Sequence, residues 1–131
     1  MQYNEFVGQV QHRARLASQG ESVRAIQATL ETLSERITES EAEDLAAQLP
    51  AELAHHLRSV ETSERFPLQD FFLRTATKEN ADLPDAAFHA RVVIDVLGEA
   101  LSAGELADVR AQLPESYTPL FEAGSEGDLN L

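Results

Sequence analysis

A ten-residue phrase occurs twice in this chain. Glu41-Ala-Glu-Asp44-Leu-Ala-Ala-Gln48-Leu49-Pro50 returns 64 positions later as Glu105-Leu-Ala-Asp108-Val-Arg-Ala-Gln112-Leu113-Pro114. At the same offset Leu33 matches Leu97, Glu35 matches Glu99, and an apolar residue stands opposite each of Leu30, Ile37 and Leu45. An internal repeat constrains architecture more than any local pattern, because two similar segments fold into similar units that bury their apolar faces against each other. With 131 residues in all, each half is near the size at which a lone core is marginal. One shared core is therefore expected.

Apolar residues recur at helical spacing almost throughout, and no stretch alternates with the period of a strand. The reading is all-α: about eight helices, arranged as two pseudo-symmetric four-helix repeats over about 3–60 and 68–121. Together they form one domain, 1–123, followed by a flexible acidic tail at 124–131. A first helix, about Gln2 to Ala17, would bury Tyr3, Phe6, Val7, Val10 and Ala14. A second, about Glu21 to Arg36, carries Val23, Ile26, Leu30 and Leu33 at steps of three and four, continued by Ile37. A short third helix buries Ala42, Leu45 and Leu49 and stops at Pro50. A fourth holds Leu53, Leu57 and Val60. Past a connector at 61–67 the pattern restarts. The sixth helix, with Ala87, Ala90, Ile94, Leu97 and Leu101, is widened by Val92, Val93 and Val96, and is expected at the centre of the molecule. A seventh holds Leu106, Val109 and Leu113, and an eighth Tyr117, Leu120 and Phe121.

Caps support these boundaries independently. Thr38-x-x-Glu41 and Ser102-x-x-Glu105 have the capping-box form, in which hydroxyl and carboxylate satisfy opposite backbone amides at a helix start. Ser18-x-x-Glu21 and Asp82-x-x-Asp85 are expected to do the same, and Ser40 competes with Thr38.

Charge excludes one broad class of function. The chain has 23 acidic and 10 basic residues, a net of −13, with Lys78 its single lysine. Nucleic-acid binding depends on clustered Lys and Arg that displace counterions, and no such cluster is present. Diffuse acidity with few lysines is the pattern of a salt-accumulating cytoplasm, where high charge maintains solubility and salt screens repulsion. A halophilic source is expected on that ground. There is no cysteine, which removes disulfides and thiolate chemistry. No apolar run is long enough to span a bilayer and no leader pattern is seen, so a cytoplasmic location without membrane contact is expected.

Glu41, Asp44 and Gln48, and their counterparts Glu105, Asp108 and Gln112, each share one side of a short helix. Paired carboxylates of this kind can hold a hard cation or act as acid and base. The structural alternative is that the glutamates are caps and that the glutamines serve the freed backbone of their own proline turns. Among His12, His55, His56 and His89 no metal-ligand spacing occurs. His89 stands out because the other half has Ala25 there. His89 and Arg91 complete the polar candidates. Serines occupy caps and loops rather than a nucleophile elbow, and no phosphate-cradling glycine loop is found. Gly98, matched by Ser34, reads as a close-packing position. No catalytic residue, cofactor or metal is assigned from these patterns.

The Tyr3-x-x-Phe6 start, the long amphipathic helix and the doubled Ala-Gln-Leu-Pro at 47–50 and 111–114 together resemble the bacterial and haloarchaeal family catalogued as domain of unknown function 2267. The similarity runs from about Tyr3 to Phe121. The second half departs in having Val109 and Arg110 where the first has Leu45 and Ala46. The resemblance implies a helical, pseudo-symmetric, cytoplasmic prokaryotic protein and supplies no activity. Two function classes follow: a non-enzymatic interaction or stress-associated module that binds a protein partner or itself, and an enzyme or small-ligand or cation binder with its site between the halves.

Overall fold

The computed structural model describes residues 1–59 and 62–122, and every regular element among them is helical. The elements are α1 (Tyr3–Arg13), α2 (Gln19–Arg36), α3 (Glu39–Ala46), α4 (Ala51–Leu57), α5 (Leu68–Glu79), α6 (Leu83–Ala100), α7 (Ala103–Gln112) and a 3₁₀ segment (Glu115–Phe121). Helix boundaries follow the sequence offset. α2 and α6 begin and end 64 residues apart, as do α4 and the 3₁₀ segment, while α3 and α7 share their starts. Val60 and the tail at 124–131 lie outside the described residues.

The last element is 3₁₀ rather than α. Pro119 inside it has no N–H to donate. Its buried residues, Tyr117 and Leu120, are three apart, which is the spacing that a 3₁₀ turn places on one side.

Two 18-residue helices form the centre. α2 packs against α1, α4, α5 and α6, and α6 against α1, α2, α5 and the 3₁₀ segment. The centre expected of α6 alone is thus shared with α2. Fully buried Phe6, Ile26, Leu30, Leu33, Phe71, Phe72, Leu97 and Tyr117 fill the space between them. Each such side chain contributes roughly 1.5–3 kcal/mol relative to exposure. Phe71 meets both Phe72 and Tyr117 edge-on, with centroids 6.1 Å apart in each pair, the arrangement that ring quadrupoles prefer. Gly98 is a packing position: a Cβ there would lie 3.2 Å from Leu106 Cδ2.

The connector is fastened rather than loose. Phe66 is buried, and its carbonyl accepts from the Tyr117 hydroxyl at 2.7 Å and from Arg36 Nε at 2.9 Å. Arg74 lies 3.9 Å over the Phe66 ring. These contacts tie the start of α5 to the end of α2 and to the 3₁₀ segment.

The paired short helices differ in depth. α3 buries Glu41, Ala42, Leu45 and Ala46, whereas α7 buries Val109 alone within its span. α7 therefore sits at the periphery against α3, and polar bonds carry much of its attachment.

Candidate functional site

The duplicated polar residues meet where α3 packs against α7. Thr38 and Ser102 are the N-caps, their hydroxyls accepting from Glu41 N and Glu105 N, each at 3.2 Å. Ser40 lies inside α3, so the competition for its cap is resolved in favour of Thr38. That half of each expected capping box forms. The other half does not, because the cap amides are taken from across the junction. Gln112 Oε1 accepts from Thr38 N at 3.2 Å and from Thr38 Oγ1 at 3.3 Å. Gln48 Oε1 accepts from Ser102 N at 2.9 Å, and its Nε2 donates to Ser102 Oγ at 3.3 Å.

This corrects two sequence expectations. Gln48 and Gln112 do not serve their own proline turns, since each caps the short helix of the other half. Glu41 and Glu105, relieved of capping, face each other instead. The complete carboxylate-and-hydroxyl start occurs at α2, where Ser18 Oγ accepts from Glu21 N at 3.1 Å and Glu21 Oε2 accepts from Ala17 N at 2.9 Å. At α6 the Asp82 side chain makes no cap bond; Pro84 in the first turn removes one amide that would need it.

Glu41 is 6% exposed. Its Oε2 accepts from Gln112 Nε2 at 3.3 Å, while Glu41 Oε1 and Glu105 Oε1 are buried without a hydrogen-bond partner. Carboxylate oxygens of Glu41, Glu105 and Asp108 all lie within 4.8 Å of one another. Burial, then the facing Glu105 carboxyl, then the charges of Asp108 and Asp44, push the Glu41 carboxyl up to about 7. Asp44 is exposed and acts here through its charge. A groove of about 730 Å³, lined by Arg36, Thr38, Arg65 and Gln112 among others, opens beside the junction.

His89 and Arg91 lie elsewhere. Arg91 is buried, and it donates to the carbonyls of Pro119 and Glu122, which makes it an anchor for the 3₁₀ segment. His89 Nδ1 is bonded to buried Glu79 at the edge of a second groove. That groove has a volume of about 470 Å³ and lies between the α1–α2 and α5–α6 turns.

Sequence reasoning picked out His89 but missed Glu79, Arg15 and Arg24, which line the same groove. Glu79 did leave a signal. It ends α5, where the helix dipole disfavours an acid, so its presence needs another reason. Arg15 and Arg24 are exposed side chains with no periodicity to mark them.

The described residues include no helix long and apolar enough to cross a membrane. A search of curated proteins finds no match. The family model described as an uncharacterized conserved protein, DUF2267, matches residues 3–120, and the chain belongs to that family.

Proposed function

We propose that the protein is a non-enzymatic helical binding module of an acidic, salt-rich cytoplasm, and that a hard divalent cation closes its α3–α7 junction. The observation that carries this reading is the pair of buried, unpartnered oxygens, Glu41 Oε1 and Glu105 Oε1, with an Asp108 oxygen beside them. A buried polar atom without a partner costs about 1–3 kcal/mol, and more when charged, so a ligand that satisfies both oxygens is favoured. An all-oxygen donor set suits magnesium, calcium or manganese.

The interaction class gains less support, because Met1 and Leu73 are the large apolar side chains exposed among the described residues. A protein partner or second copy would have to be recognised through polar groups.

Melting temperature and calorimetry on resin-stripped protein, with calcium or magnesium chloride added, test the proposal. Saturable binding is expected, with a stabilisation that disappears in Glu41→Gln and Glu105→Gln and persists in Glu5→Gln, an exposed control on α1. Equal stabilisation of all four proteins would reduce the effect to general charge screening and sink the cation site.

A further inference from the structure

The groove beside His89 is built from corresponding positions of the two halves that carry different residues. Arg15 corresponds to Glu79, Glu21 to Asp85, Arg24 to Phe88 and Ala25 to His89. The junction of α3 and α7 collects what the halves share, and this groove collects what each has alone.

Its charges are unusual for the chain. Among the described residues, the basic side chains without an ion pair, hydrogen bond or ring contact are Arg15, Arg24 and Arg65, and the first two line this one groove. The acids around them are mostly engaged. Glu21 accepts the Ala17 amide at 2.9 Å, and Glu79 holds His89 Nδ1, which leaves Asp85. The lining sets Arg15 and Arg24 against Glu21, Glu79 and Asp85, and a hydrogen-bonded carboxylate keeps its charge, so the groove offers directed guanidinium donors rather than a net positive field.

The histidine is oriented. Glu79 is 6% exposed and bonds Nδ1, so the ring presents Nε2, which makes no hydrogen bond within the described residues. A carboxylate on one ring nitrogen fixes the tautomer and aims the other at a ligand. Two residues on the rim also have left-handed backbones, Arg15 and Asn80, each with φ of 57°. Asn tolerates that region as a helix C-cap. Arg15 does the same at the end of α1, where Leu16 N bonds Gln11 O at 2.9 Å as Ala81 N bonds Ala76 O at 3.1 Å, so both left-handed residues are helix stops that turn the chain at the rim.

We propose that this groove binds a small oxyanion ligand, a carboxylate or a phosphate monoester, between Arg15, Arg24 and His89 Nε2. Two guanidinium groups supply forked donors for oxyanions, and the volume of about 470 Å³ falls in the range of small-molecule sites. With the ring protonated, Nε2 donates to the bound oxyanion while Nδ1 donates to Glu79.

Inorganic phosphate and citrate, titrated separately into the resin-stripped protein, test this by calorimetry and by histidine ring resonances in NMR. Saturable binding of one of them is expected, and which one binds identifies the oxyanion class. The His89 ring signals should move on binding, while those of His12 and His55 stay in place. Arg15→Asn, which suits the left-handed backbone, and Arg24→Gln are each expected to weaken binding tenfold or more with unchanged far-UV circular dichroism. No saturation by either probe overturns the proposal, as does affinity that survives both substitutions. Because Glu41→Gln leaves the groove intact, oxyanion binding by that variant separates this site from the cation junction.

Discussion

Gln48 caps the helix that begins at Ser102, 54 residues downstream, and Gln112 returns the bond to Thr38. Two helix starts are thus each completed by the opposite half. The attachment of α7, which buries one side chain within its span, is polar and reciprocal.

Removing either glutamine side chain leaves a cap amide without its acceptor. Gln48→Ala and Gln112→Ala are each expected to lower stability by about 1 kcal/mol, the usual scale of a lost cap. Gln112→Ala should cost more, because Gln112 also donates to Glu41. Urea denaturation of both variants and the double mutant checks this, and an additive double mutant would show that the two bonds act independently.

Glu41 gives the junction a pH dependence whose sign is fixed. Its carboxyl is raised from 4.5 to about 7, so the folded state binds the extra proton more tightly than the unfolded state does. Stability therefore falls as pH rises from 4.5 toward 7, and the loss is complete above that window. In cation-free protein, Glu41→Gln is expected to raise the melting temperature by a few degrees at about pH 8 and to change it little at about pH 4.5. Thermal melts across pH decide it. A variant less stable than wild type at the higher pH would contradict the burial account.

The connector predicts a third outcome. Tyr117→Phe removes the hydroxyl that donates to Phe66 O, while Arg36 Nε continues to donate to the same carbonyl. A loss of about 1 kcal/mol is expected, because the acceptor remains satisfied. Arg36→Met together with Tyr117→Phe should cost more than the sum of the single changes, since the buried carbonyl then has no donor; chemical denaturation of the four proteins measures the coupling.

Net charge predicts a fourth. At −13 the folded chain repels itself, and salt shortens the range of that repulsion from about 10 Å at 0.1 M to about 3 Å at 1 M. Melting temperature is expected to rise with potassium chloride across that range. Full stability in dilute buffer would remove the salt-adapted reading.

Much of the fold was legible because helical cores repeat every three or four residues. The α2 pattern of Ile26, Leu30 and Leu33 placed that helix within two residues of its observed start. The sequence also made Thr38 and Ser102 readable as caps, since a hydroxyl at a helix start bonds an amide three residues away. What Gln48 and Gln112 do was not legible, because their partners lie 54 and 74 residues distant. Gln-Leu-Pro reads equally well as a local turn. Glu41 shows the same gap: its spacing from Thr38 fits a capping box, and only the arrival of Gln112 at the Thr38 amide releases its carboxylate toward Glu105.

Read alone, the sequence determined the helical class, most helix boundaries, most of the apolar core and the family, because each depends on periodicity or on contacts a few residues apart. Tertiary structure decided which polar residues meet. It brought the shared acids and glutamines together between α3 and α7, and placed the private residues Arg15, Arg24, Glu79 and His89 around one groove. Those groupings depend on how α1, α2, α5 and α6 pack, and no local spacing records a contact made across the core.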